Sequence, residues 1–284
     1  MNEATKQLLG NSPGYLRVLH AARMVAATDA TVLLQGERGS GKQALAREIH
    51  AASERRIKPL LTVNCAGMPE PRFEAELCTC FEPGTSGQHA FEIPGTLYLT
   101  QVEELSAASQ LRLLHFLQSA TRGRAKPEVR LLASSCRDLL ALVEQGGFRQ
   151  DLFYQLYVVP LEVPPLRARA EDVMLLAKHF TAEMSRLHGR KPPRYSVSAR
   201  NLLKSYAWPG NLTELRNLCQ RMVILMAGRI IQPENLPLEI RLGSTQKNQV
   251  PGFVLPTEGV DLLALEGDMI RQALGMSGGN RSRA

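Results

Sequence analysis

Apolar positions along the chain follow two rhythms, and the change between them sets the expected architecture. Tyr15, Leu16, Val18, Leu19, Ala22, Met24 and Val25 recur at helical spacing over residues 15–26. From Thr31 to about Leu161, short runs rich in Val and Leu alternate with helical stretches, which predicts a mostly parallel sheet with crossover helices, an α/β fold. Strands are expected at 31–35, 60–64, 96–100, 129–134 and 157–161, continuous rather than alternating, as strands buried on both faces are. After Pro164-Pro165 the rhythm turns helical only, with helices predicted at 171–188, 196–206 and 211–227 and a short piece near 233–239.

Four segments follow from this: an α/β domain over residues 1–166, a small all-α lid over 167–242, a linker over 243–259 and a helical tail over 260–284. The linker holds Gly, Gln, Asn, Ser and Pro without apolar periodicity. In the tail, Leu262, Leu263, Leu265, Met269, Ile270, Ala273 and Leu274 predict one helix, and residues 278–284 read as a turn entering another.

The first strand runs into Gly36-Glu37-Arg38-Gly39-Ser40-Gly41-Lys42, and the loop runs into the helical Gln43-Ala44-Leu45-Ala46-Arg47-Glu48-Ile49-His50. Strand, glycine-rich loop and helix together make a phosphate cradle. The glycines let successive N–H groups face a polyphosphate, the helix offers its positive end, and Lys42 adds a point charge to the outer phosphates. A nucleotide is therefore predicted, the plain alternative being a glycine-rich turn. Gln43 stands where a Ser or Thr would reach Mg²⁺.

Charge and cysteines narrow the picture less. Lys and Arg number 34 against 27 Asp and Glu, and the resulting +7 is spread along the chain, compatible with nucleic acid but equally with ordinary surface charge. No run approaches about 18 apolar residues, and Met1-Asn2-Glu3-Ala4 lacks the charged-then-apolar order of a signal peptide, so a cytoplasmic protein without membrane partners is expected. Cys65, Cys78, Cys80, Cys136 and Cys219 lack C-x-x-C spacing, which indicates neither a disulfide framework nor a metal site. The close pair Cys78-Thr79-Cys80 reads as small side chains rather than a metal clamp or redox pair.

Several blocks in order carry a resemblance: the loop at 36–42, Val63-Asn64-Cys65-Ala66, Gly95-Thr96-Leu97-Tyr98-Leu99, Phe148-Arg149-Gln150-Asp151-Leu152-Phe153-Tyr154, Pro164-Pro165-Leu166-Arg167 and Trp208-Pro209-Gly210-Asn211-Leu212-Thr213-Glu214-Leu215-Arg216-Asn217. Together they resemble the AAA+ domain of bacterial enhancer-binding proteins, the ATP-driven activators of sigma-54 RNA polymerase. The resemblance implies an AAA+ P-loop sheet with a helical lid, ATP with Mg²⁺ as cofactor, a ring of subunits, and action on sigma-54 from a distant DNA site. Gly278-Gly279-Asn280-Arg281 is similar to the opening of the family's Fis-type helix-turn-helix. The sequence stops at Ala284 within the first helix of that motif, so base reading in this mode is not expected, although Arg271, Arg281 and Arg283 could touch phosphates.

Carried over residue by residue, the match is uneven. Gly36, Glu37, Arg38, Gly39, Ser40, Gly41, Lys42 and Gln43 keep the nucleotide loop, and Gln43 is a small step from the Glu common in the family. Where the family has Asp and then Glu to hold Mg²⁺ and polarise water, this chain has Thr100 and Gln101, neither of which can take a proton from water. Glu103 and Glu104 read as solvent-facing acids, since recruiting Glu103 would need a shift of the strand end. Asn64 resembles the family's switch residue and would face the Gln101 amide.

Arg149 matches an arginine that reaches across the subunit boundary, its plain alternative being a surface arginine at a helix cap, and Gln155 stands at the position of a second. Ser135 keeps a sensing hydroxyl, whereas Cys136 does not replace an amide. Thr213 takes the place of the lid arginine that touches nucleotide; Arg216, one turn on, could lean toward the site, with Glu214 or solvent as its plainer partner. Pro83-Gly84-Thr85-Ser86-Gly87-Gln88 stands where the family carries Gly-Ala-Phe-Thr-Gly-Ala, so the arm lacks the aromatic that touches sigma-54 and looks shortened.

The expected function is thus a regulator resembling the sigma-54 activators that binds ATP, with hydrolysis and sigma-54 contact impaired. Its partner would be sigma-54 polymerase or an intact family member in a homo- or hetero-oligomeric ring. The alternatives are an active ATPase activator using substitute residues, and a remnant without activity.

Overall fold

The computed structural model describes residues 8–78, 95–121 and 129–243, apart from the side chains of 78 and 119–121. The predicted arm at 83–88, the linker beyond Gly243, the helical tail at 260–284 and the Cys78–Cys80 pair's geometry lie outside the described residues. Up to Gly243 the chain is one compact unit.

Five strands form one sheet: β1 (Val32–Gln35), β2 (Leu60–Asn64), β3 (Thr96–Thr100), β4 (Arg130–Ser135) and β5 (Val159–Glu162). Their order is β2-β3-β4-β1-β5, every neighbouring pair is parallel, and β1 lies between β4 and β5 with Val32 opposite Leu132 and Val159. All five strands therefore end along one rim, at Gln35, Asn64, Thr100, Ser135 and Glu162, the side where open α/β sheets bind ligands.

Both sheet faces are covered, which is why the strands read as continuous apolar runs. On one face, α1 (Pro13–Ala26) and α2 (Lys42–Ala51) set Leu19, Ala22, Leu45 and Ile49 against Val32, Leu34, Tyr98 and Leu132. On the other, α3 (Glu70–Cys78), α4 (Ala107–Thr121), α5 (Leu139–Glu144) and α6 (Gln150–Leu156) contribute Phe73, Leu113, Leu139 and Leu152 against Leu33, Leu97, Leu99 and Leu131. Arg130 is fully buried within β4, and its guanidinium donates to the carbonyls of Val25 and Ala26 at 2.9 and 3.1 Å, at the end of α1 where helix carbonyls lack partners and cations are favoured.

Beyond a 3₁₀ turn at Leu166–Arg169 lie α7 (Asp172–His188), α8 (Val197–Ser205), α9 (Asn211–Leu225) and α10 (Leu238–Leu242), around a core of Leu176, Leu203, Trp208, Leu215 and Met222. The expectation of helices only needs one amendment. Arg194–Tyr195 (β6) and Ile230–Ile231 (β7) pair in parallel, a contact of two residues each, too short to leave a period in the sequence. Asp172 at the start of α7 accepts from the N–H groups of Asn11 and Ser12 at 2.6 and 3.1 Å, placing a carboxylate at the amino end of α1. No helix among the described residues is long and apolar enough to cross a membrane.

Candidate functional site

The chain leaves β1 at Gln35, turns through residues 36–41 and enters α2 at Lys42. Gly36 has φ +145° and Gly39 φ +73°, and a Cβ at these positions would lie 2.6 Å from the Val163 carbonyl oxygen and 2.5 Å from that of Gly210. Only glycine meets both the torsion and the space. The Lys42 ammonium is folded into the loop mouth, where it donates to the carbonyls of Gly36 and Glu37 at 2.5 and 2.8 Å and to Cys136 Sγ at 3.2 Å. These are neutral acceptors, so ionised phosphate oxygens compete well for the same protons.

Loop residues 37–40 are held one after another from the lid side. Arg167 makes a two-pronged pair with the Glu37 carboxylate. Asn211 Nδ2 donates to Glu37 Oε2 and to the Arg38 carbonyl, Leu212 N–H donates to the Gly39 carbonyl at 2.9 Å, and buried Arg169 donates to the Ser40 carbonyl at 2.8 Å. Arg169 also stacks over the Tyr15 ring, 4.4 Å from its centroid. The hydrogen bond from Arg167 holds the Glu37 carboxyl below its ordinary pKa, against the opposing effect of desolvation.

At the rim, Thr100 Oγ1 donates to Asn64 Oδ1 at 3.3 Å, and Ala66 N–H donates to the same oxygen. Asn64 is therefore engaged with Thr100, not with the Gln101 amide as the sequence suggested. Gln101 is left-handed (φ 56°, ψ 51°) and opens a 3₁₀ turn at Val102–Glu104 that folds Glu103 inward. Glu103 is not solvent-facing: it is 8% exposed, and its Oε1 accepts the Cys136 N–H at 2.9 Å. Ser135 also departs from expectation. Side chains alternate along β4, so Ser134 and Cys136 line the cavity, while the Ser135 hydroxyl is closed onto Arg137, donating to its carbonyl at 2.7 Å and accepting its N–H at 3.1 Å.

The cavity has a volume of about 890 Å³ and brings together Arg38, Gly39, Gly41, Lys42, Gln43, Asn64, Thr100, Gln101, Thr213 and Arg216. Its lid side carries Leu176, His179, Phe180 and Glu183 from α7. Arg216 donates to Glu183 at 3.2 Å; it is not paired with Glu214, whose carboxylate instead accepts from Tyr206 Oη and the Gly210 N–H. Arg149 lies apart from the cavity at the amino end of α6, exposed, with Nε and Nη2 on the Asp151 carboxylate at 3.0 and 2.7 Å. Asn211, Arg169 and Asp172 escaped sequence reasoning, although the Trp208-Pro209-Gly210-Asn211 turn marked the region of the first.

The donors facing the rim suit a polyphosphate better than a tightly held divalent cation. Hard cations such as Mg²⁺ favour carboxylates, and the cavity wall near Lys42 offers Gln43, Asn64, Thr100 and Gln101, all neutral.

The parallel sheet, the loop and the lid define an AAA+ P-loop domain. Residues 8–162 match the model of the Sigma-54 interaction domain and residues 167–251 that of the AAA+ ATPase lid domain; the chain belongs to the sigma-54 interaction domain family. It is 37% identical over 290 residues to the transcriptional regulatory protein ZraR of Salmonella typhimurium, covering 98% of this chain and 64% of the relative. It is 40% identical to the nitrogen fixation protein AnfA of Azotobacter vinelandii, covering 98% of this chain and 54% of the relative. The chain thus spans about 54% to 64% of the length of these relatives. Among solved structures it is similar to NtrX from Brucella abortus in complex with ADP, at 30% identity and a TM-score of 0.75, over 98% of this chain and 64% of that one. NtrX in complex with ATP is matched at 28% identity and a TM-score of 0.74, over 99% and 66%.

Proposed function

We propose that this chain is the nucleotide-binding core of a sigma-54-type transcription regulator, one that binds ATP or ADP and hydrolyses ATP poorly or not at all. The observation that carries the reading is a complete phosphate loop opening onto a cavity whose rim presents Thr100 and Gln101 where carboxylates would work. Lys42 and the loop amides hold the phosphates, and Leu176 and Phe180 offer apolar surface to the base. Without a carboxylate to order Mg²⁺ or accept a proton, attack by water loses its base, which alone costs about 10²- to 10⁴-fold in rate.

The output is conformational. Four consecutive loop residues are bonded to the 3₁₀ turn at Leu166–Arg169 and to the lid, so phosphates that reorder the loop also bias the lid. NtrX, described with ADP and with ATP, supports nucleotide binding by analogy. A partner, sigma-54 polymerase or an intact family member sharing a ring, would read that bias, with Arg149 exposed for contact across a subunit boundary.

Calorimetric titration with ADP and a non-hydrolysable ATP analogue, with and without Mg²⁺, tests this together with phosphate release. Binding nearly indifferent to Mg²⁺, with release no faster than in Lys42→Ala, is expected. Lys42-dependent turnover of about one per second, ordinary for an enzyme, would overturn it, as would no affinity at millimolar nucleotide.

A further inference from the structure

The excess positive charge, which reads as spread along the sequence, gathers in the lid. Between Met184 and Gln232, Lys and Arg number nine against a single acid, Glu214, while the whole chain carries +7. The remaining residues are therefore close to neutral. Folding brings four of these cations to one end of the lid, beyond the C-terminal ends of α7 and α9. Arg190 Nη1 donates to the Ile224 carbonyl at 3.3 Å, the Gly228 N–H to the Lys191 carbonyl at 3.0 Å, and the Arg194 N–H to the Arg229 carbonyl at 3.0 Å. Pro192 and Pro193 stiffen the backbone between Lys191 and Arg194.

Part of this charge has a local use, since cations suit helix C-termini and Arg190 sits on a terminal carbonyl of α9. Lys191, Arg194 and Arg229 have none: their side chains are exposed and enter no ion pair among the described residues. Apolar side chains stand beside them. Ile224, Leu225 and Ile230 are 41%, 66% and 58% exposed, and Ile230 lies opposite Arg194 in the β6–β7 pair with both side chains outward. None of these residues lines the nucleotide cavity.

A phosphodiester backbone would answer the cations and leave three aliphatic side chains in water. An anionic bilayer would meet both, but interfacial contacts favour Trp and Tyr, and the exposed apolar side chains at this end are aliphatic. A protein segment with an acidic flank and an apolar face matches the surface as it stands. We propose that this end of the lid docks an acidic amphipathic helix of a partner protein, its carboxylates against Arg190, Lys191, Arg194 and Arg229 and its apolar face over Ile224, Leu225 and Ile230. The contact needs no nucleotide.

Fluorescence anisotropy of the full chain tests it with a labelled synthetic peptide of Leu and Glu, about 18 residues or five turns long, its leucines at helical spacing. The comparison ligands are a peptide of the same composition in scrambled order, a DNA duplex and vesicles of phosphatidylglycerol. The ordered peptide should bind about tenfold more tightly than the scrambled one, because only the former presents an apolar face. Arg194→Glu should weaken it about tenfold and Ile230→Ser about threefold, the second loss persisting in about 0.5 M salt, where exposed charges are screened. Arg17→Glu, a charge reversal on α1, should leave binding unchanged, and all three exposed substitutions should melt near wild type. Equal binding of ordered and scrambled peptides overturns the proposal, as does equal affinity in Arg194→Glu and Arg17→Glu. Tighter binding of the duplex or the vesicles than of the ordered peptide also overturns it, giving the surface to nucleic acid or to lipid. So does no binding at millimolar peptide.

Discussion

Asn211 reaches Glu37 across 174 positions of sequence: its Nδ2 donates to Glu37 Oε2 at 3.1 Å and to the Arg38 carbonyl at 3.0 Å, while its Oδ1 accepts the Leu166 N–H at 2.7 Å. One fully buried amide thereby joins the phosphate loop, the 3₁₀ turn at Leu166–Arg169 and the lid. Its backbone is left-handed, φ 51°, a conformation that asparagine tolerates better than most residues.

Asn211→Ala should destabilise the protein by about 1–3 kcal/mol, since the Leu166 N–H would be buried without a partner. Asn211→Asp keeps that acceptor but sets a carboxylate against Glu37. Its deficit in chemical denaturation should be larger at neutral pH than in acid, where the carboxylates protonate. A deficit independent of pH would mean that the Glu37 contact contributes nothing.

His50 gives a second handle through acidity. Its Nδ1 lies 2.9 Å from Thr96 Oγ1 and its Nε2 3.0 Å from the Lys58 carbonyl, so a neutral ring donates from Nε2 and accepts at Nδ1. Burial holds the imidazole below its ordinary pKa, the Lys58 bond opposes this, and the charge of Arg130 adds to the lowering. The unfolded chain takes up a proton near its ordinary pKa of about 6.5 while the folded chain resists it. Stability is therefore complete above that value and falls as the pH drops toward the lower folded value, by at most about 1.4 kcal/mol per pH unit. The difference between wild type and His50→Gln in thermal melts should narrow on acidification from about pH 7.5 to about 5.5; a constant difference would exclude His50 as the cause.

The sheet was legible because strands covered on both faces must be apolar throughout, and Val32, Leu33 and Leu34 or Leu97, Tyr98 and Leu99 leave no polar gap. The phosphate loop was legible because its glycines answer to local torsions. The rim was less so. Glu103 turns inward only because Gln101 adopts a left-handed backbone, which no residue type there announces. Strand alternation did carry the signal that Ser134 and Cys136 share the cavity side, and a reading by motif position put Ser135 there instead. Arg216 and Glu183 meet between two helices, 33 residues apart, beyond the reach of spacing rules that apply within one helix.

Cys136 is a natural reporter of occupancy. Cys65 and Cys219 are buried, the former thiol pushed up to about 12 by burial and by the charge of Glu103, the latter raised by burial. Cys136 lines the cavity with its sulfur 3.2 Å from Lys42 Nζ. Iodoacetamide should modify Cys136 ahead of Cys65 and Cys219, and ADP should slow that reaction in wild type but not in Lys42→Ala, with peptide mass analysis as the readout. Modification of Cys136 at equal rates with and without saturating ADP would place the nucleotide elsewhere.

Introducing acids at the strand end tests the proposed loss of hydrolysis directly. Thr100→Asp supplies a carboxylate on the rim beside Asn64, whose amide can turn its NH₂ toward the new charge. Gln101→Glu supplies a proton acceptor without new backbone strain, because Gln and Glu share the same left-handed torsion at that position. Thr100→Asp alone should make ATP affinity depend on Mg²⁺, since the cation gains a hard ligand. The double substitution should raise phosphate release by about 10²-fold or more over wild type, the scale of a positioned base, while Gln101→Glu alone should do less because the metal remains poorly held. A double variant that still binds ATP without regard to Mg²⁺ and releases no phosphate would mean that hydrolysis is blocked elsewhere, and that Thr100 and Gln101 are bystanders.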